Sequence, residues 1–322
     1  MGKASRTKQD SDRRARIAAQ REAQRRAEQR KRIYLAGGSI LVVAIVAIAL
    51  VLVKLNSSSN PAPSSNGPTG SALASVTKQV TDIPTSVTDK VAGGGVQTGI
   101  FASAKTSAEM STDASQLASY VGTIDGPPLT SGGKPEVLFM GANYCPYCAT
   151  QRWALINALS RFGTFSGLTT THSSSTDADP NTPTFTFANS TYTSKYINFT
   201  EVEETTNIPN GSGYYTTLQT PTSAEAKIAS TYDGPSGSIP FVDFGGKYDE
   251  IGNMAPLSPT MLAGQSWSQV AAAMNNPSSS ALGEAEDGNA NYTTAAICKL
   301  TNNLPATACT PTIQGLEANF AS

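Results

Sequence analysis

The chain has 322 residues, enough for one large or two small domains, with a net charge of −1, one histidine and four cysteines. Charged residues are only 15% and aromatics 7% of a chain rich in Ser, Thr, Ala, Gly and Asn, which suits an exported protein better than a cytosolic enzyme. The near-neutral total excludes a chain that is basic throughout, but it hides an uneven distribution.

Residues 1–32 carry twelve Lys/Arg against Asp10, Asp12, Glu22 and Glu28, a surplus of eight, and the remainder is negative by nine. Residues 12–32 are rich in Arg, Ala, Gln and Glu and read as a polar helix. This arm could lie on anionic lipid, or its charge could simply set topology, which is the plainer role. It has no aromatic residue before Tyr34, so nucleic acid is not expected as a partner.

Ile33 to Val53 is 21 residues without a charge. As a helix it would cover about 30 Å, the thickness of a bilayer core, and a transmembrane helix over 33–53 is expected. The rival is a cleavable signal peptide, whose apolar part runs to about 7–15 residues before a small-residue cleavage site. Lys54-Leu55-Asn56 offers no such site. The expectation is a single-pass protein of the cell membrane, with residues 1–32 cytoplasmic, the lipid bilayer as partner through 33–53, and the main domain extracytoplasmic. All four cysteines then lie where disulfides persist.

Residues 54–72 are a Ser/Pro/Asn stretch that reads as a flexible linker. Residues 73–133 form a pre-domain segment, with a weak helical period in Val76, Val80, Ile83 and Val87 that Pro84 interrupts. Pro127-Pro128 and Gly132-Gly133 mark the approach to the main domain, 134–285.

Val137-Leu138-Phe139-Met140-Gly141-Ala142 reads as a buried strand. Cys145-Pro146-Tyr147-Cys148 follows, and then an amphipathic helix from Ala149 to Leu159. Two cysteines three apart at a strand-to-helix turn suit thiol–disulfide exchange. The first thiol meets the unpaired N–H groups and dipole of the helix start, which favour a thiolate. Pro146 fits the first helical turn, where no N–H is lost. Cys145 is therefore assigned as nucleophile and Cys148 as resolving thiol, with no bound cofactor beyond this redox-active pair. The rivals are an inert CxxC disulfide and half of a zinc site, whose further ligands would have to come from Cys298, Cys309 and His172. No metal ligand is assigned.

An insertion at about 170–235 carries strand patterns at 167–171, 184–187 and 196–202 and a helix at 224–229. His172, beside a Ser/Thr run, could tune the site or be incidental. Ser238 to Tyr248 reads as strand, Gly-Gly turn and strand, opened by Ile239-Pro240. A cis bond there would set the Ile239 backbone beside the CxxC; an ordinary trans proline at a strand start is the alternative. Trp267 to Met274 and Tyr292 to Leu300 read as helices, the latter in a C-terminal segment, 286–322. Cys298 and Cys309 would close a short loop as a structural disulfide, or else form a second redox pair. Asn189, Asn198, Asn210 and Asn291 each begin an Asn-x-Ser/Thr triplet.

Strand, CPYC, helix, Ile-Pro and hairpin, in this order, resemble the thioredoxin superfamily over roughly residues 134–280. The wider layout, including Ala-Ala-Ile-Cys298-Lys-Leu-Thr, resembles the membrane-anchored group called domain of unknown function 929. The resemblance implies an α/β, thioredoxin-like fold with an insertion, a central mixed sheet flanked by helices, preceded by the transmembrane helix. It implies Pro240 as a cis-proline contacting substrate, with Tyr144, Pro146, Tyr147 and Ile239 as flanking substrate contacts. Tyr144 stands where thioredoxins have Trp, and Phe139 where many members have a buried acid, so a carboxylate relay is not carried over.

The function expected is a membrane-anchored extracytoplasmic thiol–disulfide oxidoreductase acting on cysteines of exported proteins, recharged by a membrane redox partner. The alternative is a binding module or copper-handling protein that uses the two thiols as soft ligands.

Overall fold

The apolar run before the CxxC forms the central strand of a mixed sheet. The structure, a computed structural model, describes residues 66–93, 121–234, 237–251 and 257–320. In chain order the elements are α1 (Gly70–Thr81), α2 (Thr85–Thr88), β1 (Gly122–Thr123), β2 (Thr130–Ser131), β3 (Lys134–Gly141), α3 (Pro146–Ser160), β4 (Gly163–Ser166), β5 (Thr169–His172), β6 (Pro183–Thr186), β7 (Thr191–Ser194), β8 (Asn198–Glu203), β9 (Thr205–Pro209), β10 (Tyr215–Thr217), α4 (Ser223–Tyr232), β11 (Phe241–Phe244), β12 (Tyr248–Ile251), α5 (Trp267–Asn275), α6 (Ala281–Leu300) and α7 (Pro311–Leu316).

β3 pairs in parallel with β8 on one side and antiparallel with β11 on the other, and β12 and β1 continue the sheet beyond β11. The short β2 pairs with the start of β3. Gly245 and Gly246, at φ 66° and 72°, lead the three-residue turn from β11 to β12 that Lys247 completes. Positive φ at both positions matches the strand twist, and Gly adopts it without Cβ strain.

The pleat divides the sheet's two faces. Leu138, Met140, Val202 and Phe241 point to the α4 side and pack with Ile228, Ala229 and Tyr232. Val137, Phe139, Val242 and Phe244 join the larger core, with Trp153, Leu155, Ile156 and Leu159 of α3 and Val270 and Met274 of α5. The helix after the CxxC was expected to be amphipathic, but only its Tyr147 and Ser160 escape full burial. Its outer side is covered because α6 and α1 also pack on it.

The insertion is a set of two-stranded pairs, β4–β7, β5–β6 and β9–β10. β6 is tied to α3, where Thr184 Oγ1 donates to the Ala149 carbonyl at 2.7 Å and Trp153 Nε1 donates to that of Pro183 at 2.9 Å.

The fold class is corrected in one respect. Among the described residues no helix is long and apolar enough to cross a membrane. The longest, α6, has the length but carries Glu284, Glu286, Asp287 and Lys299. What stands is a mixed α/β fold, a six-stranded sheet with helices. The expected membrane helix at 33–53 and the basic arm at 1–32 lie outside the described residues.

Boundaries shift as well. α1 begins at Gly70, inside the stretch read as linker, and Val76, Val80 and Ile83 belong to the main core. The division at 285/286 falls inside α6, which starts eleven residues before the expected Tyr292. Its early turns read as polar because they hold Glu284, Glu286, Asp287, Asn289 and Asn291, yet all are buried. Asn291 is wholly buried and donates to the Thr88 and Ala92 carbonyls, so its triplet is no surface acceptor.

Candidate active site

Cys145 is the N-cap of α3, and its Sγ accepts the Cys148 N–H at 3.2 Å. A capping side chain satisfies one of the donors that a helix start leaves open. Pro146, at the first helical position, has no such donor. The Ile239–Pro240 bond is cis, and the Cys145 thiol donates to the Ile239 carbonyl at 3.7 Å across the gap between β3 and β11. The structure thus brings together Cys145, Cys148, Ile239 and Pro240, separated in sequence by about ninety residues.

Both cysteines are free thiols. Cys145 keeps 5% of its surface and Cys148 none, so the first is the sulfur a partner can reach. Their acidities are pushed apart. The hydrogen bond from Cys148 lowers Cys145 below an ordinary thiol; burial opposes this, and the backbone N–H groups at the helix start and the Arg152 charge assist it. Cys148 is raised well above the ordinary value, first by burial and then by its bond to Cys145. The protons belong to the pair as a unit, and the nucleophile is the member that ionises first.

Gly141, at the end of β3, is required by close approach. A Cβ there would lie 2.5 Å from the Phe139 ring and 3.1 Å from Cys148 Sγ.

Beneath the turn is a buried ion pair that the sequence reading did not single out. Arg152 Nε and Nη2 donate to the two Glu203 carboxylate oxygens at 2.9 and 2.6 Å, and both side chains have no solvent exposure. Arg152 Nη2 also donates to the Ala142 carbonyl at 2.9 Å, three residues before Cys145. The guanidinium stands 5.6 Å over the Phe139 ring. The residue at the expected acid position is therefore a platform for a cation. Arg152 is the only charge in the stretch 146–160, and a lone charge in a helix otherwise fit for burial was the available signal.

The flanking residues fall differently. Tyr147 is 47% exposed, Tyr144 and Ile239 are half-buried, and Pro146 is buried. Tyr144 stacks on Tyr215 of β10 at 4.3 Å and 6°. Burial, reinforced by the nearby cysteines and Glu204, pushes its hydroxyl up to about 12. The Ser174 N–H donates to the Tyr144 carbonyl at 2.8 Å, and Tyr215 Oη to Ser174 Oγ at 2.7 Å, so the insertion forms one wall of the site. His172 lies against the Ser173 carbonyl and the Asn207 side chain.

On the other side of α3 lies a polar network. Gln151 Nε2 donates to Glu250 at 2.6 Å, Thr293 Oγ1 to the same carboxylate at 3.1 Å, and Asn289 to Gln151 at 3.3 Å. Burial pushes Glu250 up to about 8.

Cys298 and Cys309 are joined, with Cα atoms 5.7 Å apart. The bridge ties the end of α6 to the segment before α7, and both sulfurs are buried. Among the described residues no group of three or more His, Cys, Asp or Glu is placed to hold a metal ion.

A family model described as a domain of unknown function, DUF929, matches residues 120–299, more than half of the chain. The match spans β1 through nearly all of α6, and so contains Cys145, Cys148, Pro240 and Cys298. No curated protein and no solved structure matches the chain.

Proposed function

The chain belongs to the DUF929 family, and we propose that it is a thiol–disulfide oxidoreductase that works outside the cytoplasm on cysteines of exported proteins. One observation carries the reading: Cys145 Sγ caps α3 through the Cys148 N–H and lies 3.7 Å from the carbonyl before the cis-proline. The helix-start N–H groups favour a thiolate at that sulfur, while the other stays protonated in apolar surroundings.

The Cys145 thiolate attacks one sulfur of a partner disulfide. A Cys145–partner disulfide forms, the partner S–S bond breaks, and the displaced thiolate takes a proton. Cys148 then gives up its proton, which ends on the departing partner sulfur by way of solvent, and its thiolate attacks Cys145 Sγ. The Cys145–Cys148 bond forms and the second partner thiol leaves. Two electrons have passed from the protein to the partner, and the reverse sequence oxidises a partner dithiol. A membrane redox partner that resets the pair completes the cycle. The role of Cys148 fits its raised pKa: it is a poor nucleophile until a mixed disulfide removes the negative charge from Cys145. The buried Cys298–Cys309 bridge supports an oxidising compartment.

The test is a trap. In the full-length Cys148→Ser protein, attack proceeds and resolution does not. Incubation with a disulfide-bonded exported protein should accumulate a covalent adduct that dithiothreitol dissolves, and Cys145→Ser should give none. Equal adduct from both variants would overturn the assignment.

A further inference from the structure

Glu203 and Glu204 are adjacent at the end of β8, where the pleat sends neighbouring side chains to opposite faces. Glu203 goes under the dithiol to Arg152. Glu204 goes to the other face, into a cavity of about 300 Å³ beside Cys145. The cavity shares two residues with the site, Tyr144 and Ile239. Met140, Phe241, Ala226 and Ala229 give it apolar walls, Ser230 and Ser238 add polar edges, and among the described residues Glu204 is the one charged side chain that lines it. The backbone fixes Glu204 at both ends: its N–H donates to the Gly141 carbonyl at 2.8 Å, and its carbonyl accepts from Leu218 at 2.9 Å. The carboxylate is half-buried, and burial raises its pKa. No cation of the described chain pairs with it, whereas Glu203 next door has a bidentate one.

We propose that this cavity is a specificity pocket for a lysine or arginine next to the reacting cysteine of the substrate. The inference rests on the oxidoreductase reading above. A long cationic side chain fits the arrangement: its methylenes cover the Met140, Ala226 and Phe241 walls, and its head reaches the Glu204 carboxylate. A purely aliphatic side chain would bury the same walls but leave the carboxylate half-desolvated and unpaired, and an acidic one would meet like charge. Placement at the carboxyl ends of the parallel strands β3 and β8 is where α/β sheets commonly bind ligands.

The probe is a set of short cysteine peptides, each joined through its sulfur to a chromogenic thiol. They differ only in having lysine, norleucine or glutamate beside the cysteine. Attack by Cys145 on the peptide sulfur releases the coloured thiol, and the full-length Cys148→Ser protein keeps the reaction to one step. The lysine peptide should react about fivefold faster than norleucine, the size of a well-placed ion pair at a partly solvated site, and glutamate slowest. Added salt should shrink the difference. Glu204→Gln should bring the lysine and norleucine rates together, by removing the partner of the lysine and the unpaired carboxylate that norleucine leaves. Asp125→Asn, which removes an exposed charge elsewhere, should leave the preference intact and so exclude a general effect of the protein's negative charge. Equal rates for lysine and norleucine, or a preference that survives Glu204→Gln, overturns the pocket while Cys145 remains a nucleophile. If no peptide reacts in a Cys145-dependent way, the oxidoreductase reading fails instead.

Discussion

Replacing Arg152 with methionine removes the cation beneath the CxxC and keeps most of its stem. The structure sets the size of the effect. Glu203 has no solvent exposure, and both of its oxygens accept from the guanidinium. Only the Phe187 N–H, at 3.2 Å, would remain among its side-chain donors. Leaving one partner of a buried ion pair alone costs about 3–5 kcal/mol, a fifth or more of the roughly 5–15 kcal/mol that holds a domain folded. With a urea m-value of about 2–3 kcal/mol/M, the midpoint should fall by about 1–2.5 M. The double variant Arg152→Met/Glu203→Gln removes the orphaned charge and should regain at least half of that loss. Arg152 also favours the Cys145 thiolate. Alkylation of the folded Arg152→Met protein at mildly acidic pH should therefore slow, with its pH profile displaced upward. A stability loss below about 1 kcal/mol, or a double variant as unstable as the sum of the singles, would refute the buried-pair reasoning. An unmoved pH profile would refute the electrostatic link to Cys145.

Three further outcomes follow from the geometry. Iodoacetamide at mildly acidic pH should label Cys145 before Cys148, since the first is lowered and the second raised; peptide mapping that finds Cys148 labelled first would reverse the roles. Changing Cys298 and Cys309 to alanine should cost about 3 kcal/mol by chain entropy for so short a loop, with the Cys145-dependent exchange rate kept; loss of turnover in the folded variant would make the bridge a relay. Glu250 is held protonated in the fold up to about pH 8, against an ordinary value of 4.5. The folded state then binds more protons than the unfolded one between those values, so stability should fall as pH rises through that window. Urea titrations should find Glu250→Gln less pH-dependent across it, because the amide keeps the Gln151 and Thr293 contacts with no charge to bury; an unchanged slope would contradict this.

The parts of the site that local patterns encode were readable in the sequence. An apolar run, a proline at the first helical position and two cysteines a turn apart specify a strand, a turn and a helix start, and they appear there. Gly245-Gly246 between two strand patterns specified the hairpin. Contacts between distant segments were not readable. Glu203 lies 51 residues from Arg152, and a charged residue at a strand end reads as solvated until its partner is seen. Tyr215 was passed over because nothing local announces that its ring will stack on Tyr144. Glu284, Glu286 and Asp287 give α6 a polar first half, yet they are buried, and burial holds Glu286 and Asp287 well above ordinary carboxylates. Tertiary packing decides their burial, and no local pattern in the sequence announces it.

The redox equilibrium of the Cys145–Cys148 pair in the full-length protein bears most directly on its chemistry. The protein would be equilibrated in glutathione buffers of graded poise, quenched in acid, alkylated and read by mass spectrometry. A single reversible two-electron transition of Cys145 and Cys148 is predicted, with the ratio of oxidised to reduced protein changing tenfold for about 30 mV. Cys298–Cys309 should stay closed throughout. If the pair stays wholly closed or wholly open at every poise while Cys298–Cys309 opens, the CxxC is inert and the proposed chemistry is wrong.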